Sequence, residues 1–594
     1  MIRKALLVLL LAAAPLVVSA QTAQETFPTR AIGASIESLQ QLLVTYWDWR
    51  LANFPELATQ LGRTEFNDRW RDWSKAARDR QRASRKEFLQ QVVYIGAGNM
   101  TAADRLNVHV LEWELRSALD TEDYNNLVGR VSQMSGLHID VFTVINQMPA
   151  RTVKDYENIV ARLRGVPAYV DQHLDLLREQ IGAGLVQPPI VVDLMLEQVT
   201  AQLKMPAAES PLLAAFRRLP PGMSPAERQR LLAQATAAYD QQFIPSWRRL
   251  ETFLRATYRP KARAGIALTS LRDGRRLYDI GVRFHTTTSM TADQIHDLGI
   301  REVTRIEREI EAIARADGFG GPIAEYEKEL ARRPGARFTS QQAMIDFARD
   351  VLARLQPALP TLFRRIPKMQ VQIRPIPADR EASTASNYEA GTTDGTRPAW
   401  FNMNTYRPQE QVKYVAEALV LHETVPGHHL QTGLARELEG VPDFRRVFTT
   451  TAYGEGWALY AESLGPELGV YREPATKYGQ LASELFRAVR LVVDTGMHAR
   501  GWSRDRAREY FTLHVPGQSL AEIDRYIAWP GQALAYKVGQ LKIRELRTRA
   551  EQQLGPKFDI REFHDVVLRN GRLPLDLLEQ EVDAYIKGAA AATR

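Results

Sequence analysis

The chain has 594 residues, 45% of them hydrophobic and 25% charged, with a formal net charge of +7 and no cysteine. Without cysteine there is no disulfide, no thiolate nucleophile, no cysteine-linked lipid and no thiolate zinc site, so any bound metal must rest on His and carboxylate. Acidic and basic residues alternate along the chain instead of forming a basic face interleaved with aromatics, which argues for solvated helix surfaces and against nucleic acid as a partner.

The first twenty residues carry Arg3 and Lys4, an apolar run from Ala5 to Val18, then Ser19 and Ala20. This pattern predicts a secretory signal over residues 1–20, too short and wrongly flanked for a spanning helix, with mature protein from Gln21. No later stretch reaches the roughly 18 uncharged apolar residues of a membrane span, so the expectation is a secreted, periplasmic protein with no membrane anchor. Behind the signal, apolar residues recur at three-to-four spacing over residues 36–61, 153–181, 226–257, 292–316, 341–355 and 530–553. These are amphipathic helices, and the predicted fold is mainly α. Thr291-Ala292-Asp293-Gln294 and Ser519-Leu520-Ala521-Glu522 read as capping boxes at helix starts.

One region breaks the helical period. Residues 369–375 alternate, and 385–390 and 400–404 read as short strands around the turn-rich Gly391-Thr392-Thr393-Asp394-Gly395. A small antiparallel sheet is expected within about residues 366–405, just before the metal-binding helix. Its edge offers main-chain pairing to an extended peptide; the plain alternative is a sheet that packs on the core. The expected organisation is an N-terminal helical region (21–265) and a catalytic helical region (266–594), joined as one body with a central cleft.

The chemistry concentrates in His422-Glu423-Thr424-Val425-Pro426-Gly427-His428-His429, which holds three of the eleven histidines. His-Glu at the end of a helix is the opening half of a zincin site, in which the Glu takes a proton from water. The usual second His, four residues on, is replaced by Pro426. On an unbroken helix His429 lies about 10.5 Å beyond His422 along the axis, too far to share one ion, and His428 points roughly 120° away. Pro426 and Gly427 together can loop out two residues, so His428 is the predicted second ligand and His429 the runner-up, or a group that contacts substrate. The third candidate is Glu455 in Tyr453-Gly454-Glu455-Gly456-Trp457, where flanking glycines allow close backbone approach. Glu462, seven residues on and on the same helical face, is placed to orient a ligand His.

These segments, together with residues 490–501 and Tyr526-Ile527-Ala528-Trp529-Pro530-Gly531-Gln532-Ala533-Leu534-Ala535-Tyr536-Lys537, resemble a bacterial family catalogued as domain of unknown function 885. The resemblance covers nearly all of the mature chain. That family is similar to the gluzincin peptidases, in which two His and a later Glu hold zinc, and the Gly-Glu-Gly-Trp setting of Glu455 is similar to the Asn-Glu-Gly-Phe of aminopeptidases. The inserted Pro-Gly departs from the gluzincin pattern. Helical oligopeptidases are the nearest architectural analogy.

The expectation is therefore one Zn2+ per chain on His422, His428 and Glu455, with Glu423 as general base in hydrolysis of small peptides or oligopeptides. For the oxyanion donor, Tyr536 is the first candidate and His498 the second. Arg525 and Tyr526 are candidates for holding a substrate carboxylate, with Tyr388 and His429 as further substrate contacts. Two rival readings are a zinc hydrolase for another amide or ester, and a periplasmic binding protein that kept the fold without activity.

Overall fold

The structure is a computed structural model that describes residues 36–377, 381 and 385–591. The expected signal segment lies outside the described residues. The fold is mainly α, as its periodicity predicts. Two elements have the expected ends: α1 (Ala292–Ala316), opened by the capping box of Thr291 and Gln294, and a helix over Gln341–Leu355 opened by Ser340. Elsewhere the period is right and the continuity is not. Residues 36–61 form two helices, Ile36–Asn53 and Pro55–Gln60, because proline pushes the residue before it, Phe54 at φ −130°, out of helical geometry. Residues 226–257 run through α-helical Pro225–Ala238 and Ile244–Phe253 with wider π turns after each.

The sheet contains β1 (Val371–Pro375), β2 (Asn387–Glu389) and β3 (Ala399–Met403), in the order β1-β3-β2. It is mixed rather than purely antiparallel: β2 opposes β3, while β1 runs parallel to β3. The chain reverses between β1 and β2 and again between β2 and β3, so first and third strands point the same way. The central place falls to β3, whose Ala399, Phe401, Asn402 and Met403 are buried, and this leaves β2 as an edge.

The remaining elements that build the site are α2 (Lys413–Glu423), α3 (His428–Arg436), α4 (Thr451–Glu462), α5 (Pro474–Ala499), α6 (Ala521–Ala528) and α7 (Ala535–Leu554). A buried apolar core drawn from residues 39–128 and 268–586 surrounds α2, α3 and α4. A second core, made almost entirely of residues 131–258, supports the opposite wall of the cleft. α4 crosses α7 at very short range, since a side chain at Gly456 would lie 2.5 Å from the backbone of Gly539. This crossing fixes the height of Glu455 above the core.

Expected Ser519 capping does not form as a box. The Ser519 hydroxyl accepts from the Ala521 N–H, but Glu522 turns away to Arg490 and Tyr526 at 2.9 and 2.8 Å. A buried arginine outcompetes an exposed backbone donor for the carboxylate.

Candidate metal centre

α2 ends at Glu423, and the chain folds back over the next four residues. The Gly427 N–H donates to the Leu421 carbonyl and the His429 N–H to the Thr424 carbonyl, each at 3.0 Å. Val425-Pro426 is a cis peptide bond. The Pro426 carbonyl accepts from Trp457 Nε1 at 2.8 Å, so the turn is tied to the Gly-Glu-Gly-Trp helix that supplies Glu455. A Cβ on Gly427 would lie 2.0 Å from the His422 carbonyl oxygen; only glycine allows the turn to close this tightly.

The result is that His428 comes back against His422, with ring centroids 4.8 Å apart and planes at 87°. Glu455 Oε2 lies 3.3 Å from His428 Nε2 and 3.6 Å from His422 Nε2. One ligand atom from each of the three residues lies within 4.8 Å of the others. Behind them Glu462, fully buried, accepts from His422 Nδ1 at 2.8 Å, which fixes the ring and turns Nε2 to the site. Burial alone would push His422 down, but Glu455 and Glu462 outweigh it and carry its pKa up to about 10. Burial raises Glu455, yet His428 and His422 hold it well below the usual carboxylate range. Two imidazoles and a carboxylate brought this close form a nitrogen and oxygen donor set that could hold a metal ion. Glu423 is buried beside them, and burial pushes its carboxyl up.

His429 does not join this set. Its Nε2 donates to the Met369 carbonyl at 2.8 Å, which leaves Nδ1 to accept from the Tyr388 hydroxyl at 3.3 Å. Burial takes it down to about 4. It is a neutral strut between α3 and the sheet, and it steadies Tyr388, whose ring stacks at 6.3 Å on His428.

The ligands open onto a cleft of about 1170 Å³. Its floor holds His422, Glu423, His428, Glu455 and Arg572; Asn387 and Tyr388 of edge strand β2 form one side. Uncharged residues of the N-terminal half, among them Asn146, Gln198 and Gln202, form the roof. Arg487, Arg490, Arg525, Gln532 and Tyr536 line the same cleft, with Arg487 3.8 Å from Glu462.

Two sequence candidates lie elsewhere. His498 is fully buried: Nδ1 accepts from the Leu268 N–H and Nε2 donates to the Tyr526 carbonyl, both at 2.9 Å. With both nitrogens spent on backbone and its pKa pushed down to about 3 by burial, it is a core histidine and not an oxyanion donor. Tyr526 is fully buried, its hydroxyl donating to Glu522 and accepting from Arg490 Nε at 3.0 Å. It braces the arginine and cannot itself meet a substrate carboxylate. Arg525 and Tyr536 do reach the cleft.

Sequence reasoning missed Arg487, Arg490 and Arg572. The first two had a signal, three residues apart on one helical face. Arg572 had none: it follows Gly571 in a loop, and tertiary packing brings it to Gln431, Thr432 and Thr449 beside α3 and α4.

The sequence matches the family described as "Bacterial protein of unknown function (DUF885)" over residues 55–582. The chain belongs to this family. No curated protein matches it. Among solved structures, one described as a "putative lipoprotein" from Colwellia psychrerythraea superposes with a TM-score of 0.88 at 26% identity, covering 93% of this chain and 99% of that one. A second, described as a "putative lipoprotein of unknown function" from Shewanella oneidensis, gives 0.69 at 18% identity, covering 91% and 99%; at that identity the likeness concerns the fold. Among the described residues of this DUF885 protein no helix is long and apolar enough to cross a membrane.

Proposed function

We propose that this DUF885 protein is a zinc-dependent hydrolase of peptide bonds that acts on small peptides in the cell envelope, most consistently in the periplasm. The observation that carries the reading is the meeting of His422, His428 and Glu455 within 4.8 Å, at the floor of a peptide-sized cleft with Glu423 beside them. The signal-like N-terminus and the description of its structural relatives as lipoproteins support the location.

When bound, a zinc ion supplies a Lewis acid and a water of lowered pKa. Glu423 accepts the proton released as the water attacks and passes it to the leaving amine, with no covalent intermediate on the protein. The edge of β2 pairs with the extended main chain of the substrate, and the uncharged roof lets side chains of varied type pass. His498, with both ring nitrogens bonded to backbone, does not serve the developing oxyanion.

Elemental analysis of the purified protein tests the metal, with one zinc per chain expected. Glu423→Gln keeps shape and metal and removes the proton acceptor, so turnover of a mixed peptide library should fall by about 10²-fold or more. Near-normal turnover in that variant, or full activity after chelation, defeats the reading.

A further inference from the structure

One part of the cleft gathers three arginines whose N–H groups are not all used. Arg487 and Arg490 project from one face of α5, and Arg525 comes from α6. All three line the cleft with side chains only 13%, 4% and 15% exposed. Against them stand Glu522, Glu462 and, facing Arg487, Glu423. Glu522 bonds Arg490 at 2.9 Å and reaches Arg525 at 3.5 Å; Glu462, 3.8 Å from Arg487, is already committed to His422. Arg487 Nε, Arg490 Nη1 and Arg525 Nε are buried with no hydrogen-bond partner. A desolvated guanidinium with an unused N–H is costly unless a ligand completes it.

Tyr536 carries the second half of the argument. Its hydroxyl accepts from Arg525 Nη2 at 3.1 Å and from Gln532 Nε2 at 3.4 Å. Among the described residues its own proton meets no acceptor. A phenol that already accepts from a cation and still has a proton to give is a donor aimed at an anion's oxygen, and the adjoining guanidinium supplies the charge.

The position sets the substrate. Arg487 stands 3.8 Å from the carboxylate behind ligand His422, and Arg490 lies about 4.5 Å further along α5. Arg490, Arg525 and Tyr536 share the cleft with His422, His428 and Glu455, so one peptide can reach both groups, and every free peptide carries a C-terminal carboxylate. Resting on the hydrolytic reading above, we propose that this cluster binds the free C-terminal carboxylate of the substrate, and that the protein is a carboxypeptidase. Water adds across the bond: the acyl carbon takes its hydroxyl, and its proton goes through Glu423 to the amine of the released fragment.

The test uses the zinc-loaded full-length protein and N-acetylated hexapeptides lacking Asp and Glu, as free acids and as C-terminal amides. A third set consists of amides with Glu at the last position. Mass spectrometry of the free acids should show losses from the C-terminus, with the plain amides cut at least 100-fold more slowly. Arg525→Gln and Tyr536→Phe should each raise KM for free acids about 10-fold or more, as expected for a lost charge-assisted bond, and so narrow the acid-to-amide ratio. A purely structural role would not move that acid-to-amide ratio. Equal internal cleavage of acids and amides overturns the proposal while leaving the hydrolase reading intact. Rapid cleavage of the Glu-ended amides assigns the cluster to a side-chain carboxylate and also overturns it. A binding arm is independent of turnover: zinc-loaded Glu423→Gln should bind the free acids at least 10-fold tighter than the plain amides. Equal affinities overturn the anchor whether or not the wild-type protein cleaves any peptide, and absence of all cleavage with preserved acid preference defeats only the hydrolase reading.

Discussion

Two of the chain's five Pro-Gly dipeptides, in Val425-Pro426-Gly427 and Trp529-Pro530-Gly531, border the cleft elements, and each uses its glycine differently. At 427 the backbone angle φ is −76°, and what demands glycine is the His422 carbonyl, 2.0 Å from where a Cβ would lie. At 531 a Cβ would meet the Gly281 and Val282 backbone less severely, at 3.3 Å, but φ is +86°. Each turn also leans on a fully buried carboxylate. Glu462 holds His422 next to the first; Asp494 accepts the Gly531 N–H at 3.0 and 3.1 Å and the Tyr278 hydroxyl at 2.6 Å at the second. The first turn decides whether three ligands meet. The second delivers Gln532 and Tyr536 to the cleft. Identical local chemistry thus serves close approach in one place and chain reversal in the other, and only the surroundings tell them apart.

The sharpest way to break that comparison is Gly427→Ala. The new methyl must push the His422 backbone aside, so zinc affinity should drop by well over the 10-fold that lesser disturbances around a metal site cause; retention of full affinity in a competition titration would mean that the turn does not position His428. Glu462→Gln should come next. It leaves every ligand in place but removes the acceptor charge behind His422, and a loss of about 10- to 100-fold in metal affinity is expected, read by the same titration with little change in melting temperature of the zinc form.

At the second turn the expected effects fall on stability and spare the metal. Burial raises the Asp494 carboxyl to about 7, against a partial pull downward from Tyr278 and Gly531. A folded-state value above the unfolded one means that the native protein binds this proton more tightly. The contribution is therefore fully present below about pH 4 and is lost as pH rises through about 7. Comparing urea midpoints of wild type and Asp494→Asn from pH 4 to 8 should show that the variant lacks this decline, and parallel curves would refute the buried ionisation. The smallest effect belongs to Gly531→Ala, which should cost about 1–2 kcal/mol for the left-handed backbone and leave zinc content unchanged. A loss of zinc there as large as at 427 would erase the distinction between the two turns.

How much of this was legible beforehand varies from residue to residue. Glu462 was predictable from its heptad spacing to Glu455, because seven residues return to one helical face whatever the tertiary context. His428 was predictable by elimination, because proline at 426 forbids the ordinary spacing. His498 and Tyr526 were not: they sit on helices whose chemistry-facing and core-facing sides look alike in sequence, and packing of Leu268 and Arg490 against them sent both inward. The roof from residues 146–202 was equally invisible, since Asn and Gln on an amphipathic helix carry no mark of what they face.

By itself, the sequence determined the helical class, the ends of helices such as Ala292–Ala316 and the absence of any thiolate site, and it narrowed the metal-ligand candidates to His422, Glu455 and His428 with His429 as runner-up. These follow from local rules of period, capping and donor chemistry. Tertiary structure alone decided that Gly427 is needed for room rather than for φ, that β1 and β3 run parallel, that His429 braces Tyr388 instead of binding metal, and that three arginines from two helices share one part of the cleft. Each of those depends on which distant backbone or side chain arrives beside the residue, and no spacing along the chain encodes that.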